Sequence, residues 1–437
     1  MPRRLAYDVL LRVEKESAYS HIALDAELKR RALSPQDRGL ATEIVYGTLM
    51  WASALDKVLG RFIKGGVRRA HIDVLILLRT AAYQWLFLDR VPEHAILNES
   101  VEVIKHTKQA RAAGFVNGVL RAMIREDKAS VKWWDDEDRA RKPVRYIGQR
   151  WALPSWIANR LTQGVPIERA EAMARALTQR PDLILRHIQG AEPLDSAHKL
   201  APFEDIYRYE RWNDEVRRAI DAGAAVVQDL GSQLVARALG AGGGARVLDA
   251  CAGLGSKGLH IAGMLDEQGR VDLVDPQAKK LKRAQAMASS IGVDSKITTH
   301  PGSLARFAQT SPVPYDAVLV DAPCSGLGVI RRHPETKWRR APSDITDLAA
   351  VQARILDEAA ELVAPGGAMV YSVCTFTPEE GPKQVAAFLE RHADFSPDPL
   401  PEGTPWETFG ARGHELALNP LDHGADHFYM ARLRRAE

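Results

Sequence analysis

The feature that most constrains this chain is a short apolar run ending on reactive chemistry. Ala317–Val320 is bounded by turn residues, the pattern of a short buried strand. The run breaks at Asp321-Ala322-Pro323-Cys324-Ser325-Gly326, which places a carboxylate and a thiol at the strand's C-terminal end. In open α/β sheets ligands bind at that end. A lone cysteine there is ordinarily a half-buried residue in a Pro/Gly turn. Three neighbours shift the balance toward function: the adjacent Asp321, the downstream cluster Arg331, Arg332, Lys337, Arg339 and Arg340, and a second cysteine at a later strand end.

That second cysteine follows a similar pattern. Ala364-Pro365-Gly366-Gly367 reads as a tight turn, and Ala368–Val373 as a strand ending at Cys374. Thr377 and Glu380 have capping-box spacing, with Pro378 suited to a first helical position. A helix is therefore expected to begin just beyond Cys374, and a helix N-terminus favours the reactive thiolate. Upstream, Ala245–Ala250 reads as the first strand of the same sheet, followed by the loop Cys251–Gly258 and a helix over Leu259–Leu265. Gly253, Gly255 and Gly258 spell G-x-G-x-x-G, which taken alone also suits a dinucleotide-binding dehydrogenase. Asp275, after the strand Arg270–Val274, fits either cofactor, since both have ribose hydroxyls. Two features favour S-adenosylmethionine. Asp249 closes the first strand with a carboxylate, as methyltransferases often do, and the later strands end in thiols rather than a hydride-transfer constellation. The candidate cofactor loop is then Cys251, Ala252, Gly253, Leu254, Gly255, Ser256 and Lys257, with Asp275 and Asp321 at neighbouring strand ends. The usual state of a loop lysine is solvated.

With 437 residues the chain should form two or three domains. The first, 1–128, reads as all helix: Leu5, Val9, Leu10 and Val13 recur at helical spacing without β-like alternation. Residues 1–130 hold 21 Lys/Arg against 15 Asp/Glu, a balance of +6, leaving 38 against 41, or −3, for the rest. Its densest basic patch is Arg61, Lys64, Arg68 and Arg69. A basic front end suits a polyanionic partner, though a solvated helical surface would look much the same. Residues 129–235 read as a charged linker and a small α/β subdomain, with a helix over Leu153–Leu177 and a strand over Asp182–Ile188. Trp133, Trp134, Trp151 and Trp156 read as packing rather than base-stacking faces. Residues 236–437 form the expected catalytic domain. The run Val74–Leu88 contains Arg79 and Gln84 and is too short to span a bilayer, so it reads as a buried helix. Cys251, Cys324 and Cys374 lack metal-ligand spacing, and no signal peptide is evident, which together point to a metal-free protein in a reducing cytoplasm.

The stretch Tyr315–Trp338 closely resembles the strand-four signature of RNA cytosine-C5 methyltransferases, in particular the bacterial ribosomal-RNA group called RsmB. Amino-group methylases of nucleic acid have a similar D/N-P-P-aromatic motif, but here a cysteine stands where their stacking ring would be. Asp37–Trp51, Leu86–Lys105 and Ala113–Arg121 resemble the NusB-like RNA-binding domain of that group, and His423–Arg435 its final strand. The glycine loop departs from the group's usual A-A-P-G-G-K-T, keeping Lys257 and small residues. Ser303 stands where relatives commonly carry an Asp beside the adenine. The resemblance implies an all-α NusB-like bundle and a Rossmann-like methyltransferase domain with a small α/β N-terminal subdomain. It implies S-adenosylmethionine as cofactor, small-subunit ribosomal RNA as partner and a monomer without membrane attachment. It also points Lys257 at the target cytosine or the RNA backbone.

Cytosine C5 is too poor a nucleophile to take a methyl group unaided. A thiolate adding to C6 turns the C5–C6 bond into an enamine-like nucleophile, once the base is out of its stack and held by its polar edge. Asp321 is the natural partner for N3. Spacing does not rank the two thiols; the resemblance makes Cys374 the nucleophile and Cys324 the group that helps release the methylated base. A transfer-RNA cytosine methyltransferase would share this chemistry. A DNA methylase would use its Pro-Cys thiol beside a Glu-Asn-Val element that is missing here, and a dead RNA-binding scaffold would have lost a cysteine.

Overall fold

Seven α-helices occupy Pro2–Ile124 in the computed structural model, which describes residues 1–191, 198–310 and 313–437. They pack around one apolar core, from Leu5 and Val9 through Ile44, Leu55 and Leu78 to Leu120 and Met123. The helix Ile72–Phe87 carries the long apolar run and is buried over most of its surface, as its sequence implied. The close approach of the helix Pro35–Met50 to it requires Gly47, because a Cβ there would lie 1.9 Å from Tyr83 Cζ. Trp133 packs on Trp51 and Phe87, with ring centroids 5.9 and 5.6 Å away, and Trp134 and Trp151 join the same aromatic cluster, as packing residues. The expected helix 153–177 is two helices, Ser155–Thr162 and Ile167–Thr178, broken near Gly164, whose φ is +70°.

The chain divides into two units, Met1–Gln179 with Ile330–Arg339, and Arg180–Val329 with Arg340–Glu437. The division falls inside the segment 129–235, so its helices up to Thr178 belong to the first unit, and its strands, with the helices Asp214–Asp221 and Leu230–Ala238, to the second. Ile330–Arg339 corrects one expectation. Of the cluster counted as a neighbour of Cys324, Arg331, Arg332, Lys337 and Arg339 belong to the first unit, whereas Arg340 lies in the second and donates to Ser325 O at 3.0 Å. Lys337 Nζ donates to Met50 O at 2.7 Å, Trp338 Nε1 to Leu49 O at 2.6 Å, and an Arg339 guanidinium nitrogen to Val13 O at 2.7 Å and Ala18 O at 2.8 Å. Both oxygens of Glu335 accept from Ser20, at the start of the second helix. Burial pushes the Lys337 ammonium well below its ordinary pKa.

In the second unit, strands β1 (Leu183–His187), β2 (His198–Lys199), β3 (Ile206–Tyr209) and β4 (Ala225–Val227) make an antiparallel sheet of order β2-β3-β1-β4. The large sheet holds β5 (Arg246–Asp249), β6 (Arg270–Asp275), β7 (Ile297–Pro301), β8 (Tyr315–Asp321), β9 (Val363–Val373), β10 (Phe395–Pro397), β11 (Glu415–Leu418) and β12 (Phe428–Arg435). Its order is β10-β12-β9-β8-β5-β6-β7, with β11 on β12. The five strands from β9 to β7 are parallel, and β12 runs antiparallel to β9. Strand order reverses between β5 and β8, where a ligand crevice is expected. The expected turn Ala364–Gly367 lies within β9: its residues extend the strand, Gly366 has φ +68°, and the pairing to β8 shifts register there.

No helix among the described residues is long and apolar enough to cross a membrane.

Candidate active site

Four neighbouring strand ends build the site. After β5, Gly253 (φ +57°) and Gly255 (φ +81°) let the loop turn tightly into the helix Ser256–Met264. Gly258 is required by contact, since a Cβ there would meet Leu273 Cδ2 at 2.4 Å and Asp249 Oδ2 at 3.0 Å. Asp275, at the end of β6, accepts from Gly253 N at 3.1 Å and Gln277 N at 2.7 Å, and so fixes the loop's course. Cys251 and Ala252 are mostly buried along this loop, whereas Leu254 and Ser256 are exposed. Burial, followed by the neighbouring Asp249, pushes the Cys251 thiol far up in pKa, which disfavours its thiolate.

Asp249 Oδ1 is buried without a hydrogen-bond partner. Burial first, and the charge of Asp321 second, push this carboxyl from 3.8 up to about 7. An orphaned acceptor and a glycine-lined loop fit a polar cofactor lying across this strand end. Asp275 and the loop Cys251–Lys257 are the residues that would hold it. Ser303 Oγ accepts from Arg306 N at 3.3 Å, so its hydroxyl is engaged at the start of the helix Leu304–Thr310.

Lys257 is not a solvated loop lysine: it is 9% exposed, and its Nζ donates to Asp321 Oδ2 at 2.5 Å. Burial opposes its charge, but Asp321 outweighs that and holds the ammonium above its ordinary pKa. Ser372 Oγ donates to the other oxygen, Asp321 Oδ1, at 2.7 Å. Asp321 is thereby held by a cation and a hydroxyl, yet its side chain keeps 28% exposure, so one face remains open to a substrate.

Cys324 and Cys374, fifty residues apart in sequence, stand with sulfurs 3.3 Å apart. Both thiols are free and partly accessible. The two loops are joined by backbone: Ala322 N donates to Ser372 O at 2.9 Å and Gly328 N to Cys374 O at 3.0 Å. The helix expected just past Cys374 begins only at Pro382. Thr377 and Glu380 have the spacing of a capping box, but Glu380 turns inward, accepting from Ser325 N at 2.7 Å and Ser325 Oγ at 2.5 Å. The N-terminus of that helix is therefore not placed directly after Cys374 to favour its thiolate. The hydrogen bond with Cys324 and burial push Cys374 well above its ordinary pKa, and only Lys257 pulls it down.

The structure thus gathers Asp249, Lys257, Asp321, Cys324 and Cys374 at adjoining strand ends, with Cys251 and Asp275 along the cofactor loop. Sequence reasoning missed Ser372 and Glu380 as members of this group. Both stood in the stretch Tyr371–Gly381, where Ser372 alternates with the core side of β9 and Glu380 looked like a cap.

A parallel sheet with one antiparallel strand near its edge, and a glycine loop after its first strand, defines a Rossmann-like methyltransferase. Residues 236–434 match the family model described as 16S rRNA methyltransferase RsmB/F, and residues 1–125 the NusB family. The chain is 35% identical over 450 residues to the probable ribosomal RNA small subunit methyltransferase B of Bacillus subtilis, covering 99% of this chain and 98% of that one. It is 30% identical to the ribosomal RNA small subunit methyltransferase B of Erwinia tasmaniensis, covering 96% and 95%. The chain belongs to the RsmB/F methyltransferase family and carries a NusB domain. Among solved structures, that of PH0851 shares the fold over 100% of this chain and 99% of its own, at TM-score 0.82 and 20% identity. NSun6 from Pyrococcus horikoshii, solved with SFG, covers 64% of this chain and 97% of its own, at TM-score 0.54 and 16% identity.

Proposed function

We propose that this protein transfers a methyl group from S-adenosylmethionine to C5 of a cytidine in small-subunit ribosomal RNA, through a covalent bond between Cys374 and C6. The observation that carries this reading is the pair of sulfurs 3.3 Å apart beside the Lys257–Asp321–Ser372 group. The names of the full-length relatives support the RNA substrate, and the NSun6 neighbour solved with SFG supports a cofactor of this type. The cofactor supplies an electrophilic methyl group. Everything else falls to the side chains.

Asp321, held in place by Lys257 and Ser372, accepts a hydrogen bond from the cytosine edge and favours a proton on N3. The Cys374 proton passes to N3 as its sulfur bonds to C6, and the C5–C6 π pair becomes the nucleophile at C5. Cys324, as thiolate, then takes the C5 proton. The C–H pair re-forms the C5–C6 bond, the C6–S bond breaks, and N3 returns its proton to Cys374. The one proton released overall is the one Cys324 gave up to solvent. Lys257 adjusts the field around both sulfurs and keeps Asp321 aimed at the base.

The test is bisulfite sequencing of small-subunit ribosomal RNA from a deletion strain, together with trapping on denaturing gels. Loss of one protected cytidine is expected, restored by the intact gene. Cys374→Ala should abolish both transfer and adduct. Cys324→Ala should methylate and then stall as a protein–RNA adduct, and Asp321→Ala should suppress even that. An adduct with Cys374→Ala and none with Cys324→Ala would reverse the two roles. No missing methylcytidine in the deletion strain would refute the assignment.

A further inference from the structure

Glu380 is fully buried, yet it lies outside the acid–base chemistry derived above. Four donors meet its carboxylate. Ser325 N and Gln352 Nε2 reach Oε1 at 2.7 and 3.1 Å, and Ser325 Oγ and Thr377 Oγ1 reach Oε2 at 2.5 and 2.6 Å. A buried carboxylate is costly unless its acceptor sites are filled, and here they are filled by the two loops that carry the thiols and by Gln352 on the helix Pro342–Ala360. Gln352 Nε2 also donates to Pro323 O at 3.0 Å, so Cys324 is bracketed on both sides, at Pro323 and at Ser325. Ser325 Oγ lies 2.9 Å from Thr375 Oγ1, next to Cys374, and Tyr371 OH donates to Glu380 O at 2.6 Å.

The two thiols do not depend on this carboxylate equally. Cys374 directly follows β9, whose pairing with β12 runs through Val373↔Tyr429, and its own carbonyl accepts from Gly328 N. Cys324 lies three residues past the end of β8, where ladder pairing has stopped. Its loop is held by Glu380, Gln352 and the Arg340 guanidinium, which donates to Ser325 O at 3.0 Å.

We propose that Glu380 is the positioning residue that sets Cys324 against Cys374, and that its loss impairs release of the methylated base while sparing the attack. This rests on the two-thiol reading proposed above. The test compares Glu380→Ala, Glu380→Gln and Cys324→Ala in the full-length protein with small-subunit ribosomal RNA and S-adenosylmethionine. Glu380→Ala should leave single-turnover methyl incorporation within about threefold of the parent, lower turnover by at least about tenfold, and accumulate the covalent adduct. Glu380→Gln should restore release, because its carbonyl can serve Ser325 N and Gln352 Nε2 while the two hydroxyls turn to accept from its amide. Adding Glu380→Ala to Cys324→Ala should change nothing further, since residues acting as one unit are not additive. A purely structural role would lower attack and release together, add to Cys324→Ala, and weaken cofactor binding in calorimetry; any of these overturns the proposal. If Glu380→Ala does not fold, Ser325→Ala decides: a trapped adduct supports the proposal, and its absence overturns it. An adduct with Cys324→Ala but none with Glu380→Ala removes this inference alone. No adduct with Cys324→Ala removes the two-thiol reading, and this one with it.

Discussion

The resting state of Cys374 is set by its neighbours, and this has a pH signature. The contact with Cys324 and burial keep it a thiol at neutral pH, with only Lys257 opposing them. Because the thiolate is the form that alkylating agents attack, alkylation of Cys374 by iodoacetamide in the free protein should rise about tenfold per pH unit between about pH 7 and 9, followed by mass spectrometry. Cys324→Ala removes the foremost cause of the shift and should move that profile to lower pH; Lys257→Met should move it higher. A flat profile would mean a preformed thiolate and a different activation. Asp249 gives a second signature, in stability. Its folded pKa of about 7 lies above the ordinary 3.8, so the folded state binds the proton more tightly than the unfolded chain. The associated stability is complete below about pH 4 and is lost as pH rises toward 7. Asp249→Asn carries no such titration, so its melting temperature should change less than the parent's over that window. Equal slopes for the two proteins would place the Asp249 pKa at its ordinary value.

At the level of elements, strands could be read from the sequence and side-chain destinations could not. Ala317–Val320, Ala245–Ala250 and Ala368–Val373 are apolar runs closed by turn residues, and each marks a parallel strand of the sheet. The thiols and Asp321 were legible because they stand at or within three residues of those strand ends. Glu380 was not: a Thr-x-x-Glu spacing describes a helix cap, and only the folded chain brings Ser325 within reach of that carboxylate. The cluster from Arg331 to Arg340 misled for the same reason. Its place after Cys324 counted toward a functional thiol, yet Lys337 and Arg339 donate to main-chain carbonyls of the helical unit. Gly328 shows what backbone proximity dictates. A Cβ there would lie 2.3 Å from His427 O and 2.7 Å from Cys374 O, both backbone atoms that cannot swing aside. Gly328→Ala should therefore cost about 1–3 kcal/mol of stability, as overpacking does, and displace the Cys374 loop. Methyl transfer should fall at least about tenfold while binding of S-adenosylmethionine in calorimetry stays within about twofold, since the glycine loop follows a different strand.

For the whole molecule, the excess positive charge belongs to the front end, and so does its test. Removing residues 1–128 would not isolate the question, because Trp133 and the segment Ile330–Arg339 pack into the same core and would be left without it. Surface substitutions avoid that damage. Arg61, Lys64, Arg68 and Arg69 are all exposed. If they face RNA phosphates, replacing all four by alanine removes up to four counterion-releasing contacts. The slope of log affinity against log salt should then flatten by as much as about 3, at about 0.7 for each contact with a single strand. Fluorescence anisotropy with a ribosomal RNA fragment at several salt concentrations measures this. Cofactor affinity and melting temperature should not change, because none of the four lies in the second unit or in the buried core. A flatter slope with intact cofactor binding would make the helical unit an electrostatic holder of the substrate. An unchanged slope would mean that these four cations face only solvent and that the front end's charge excess serves a task other than holding RNA.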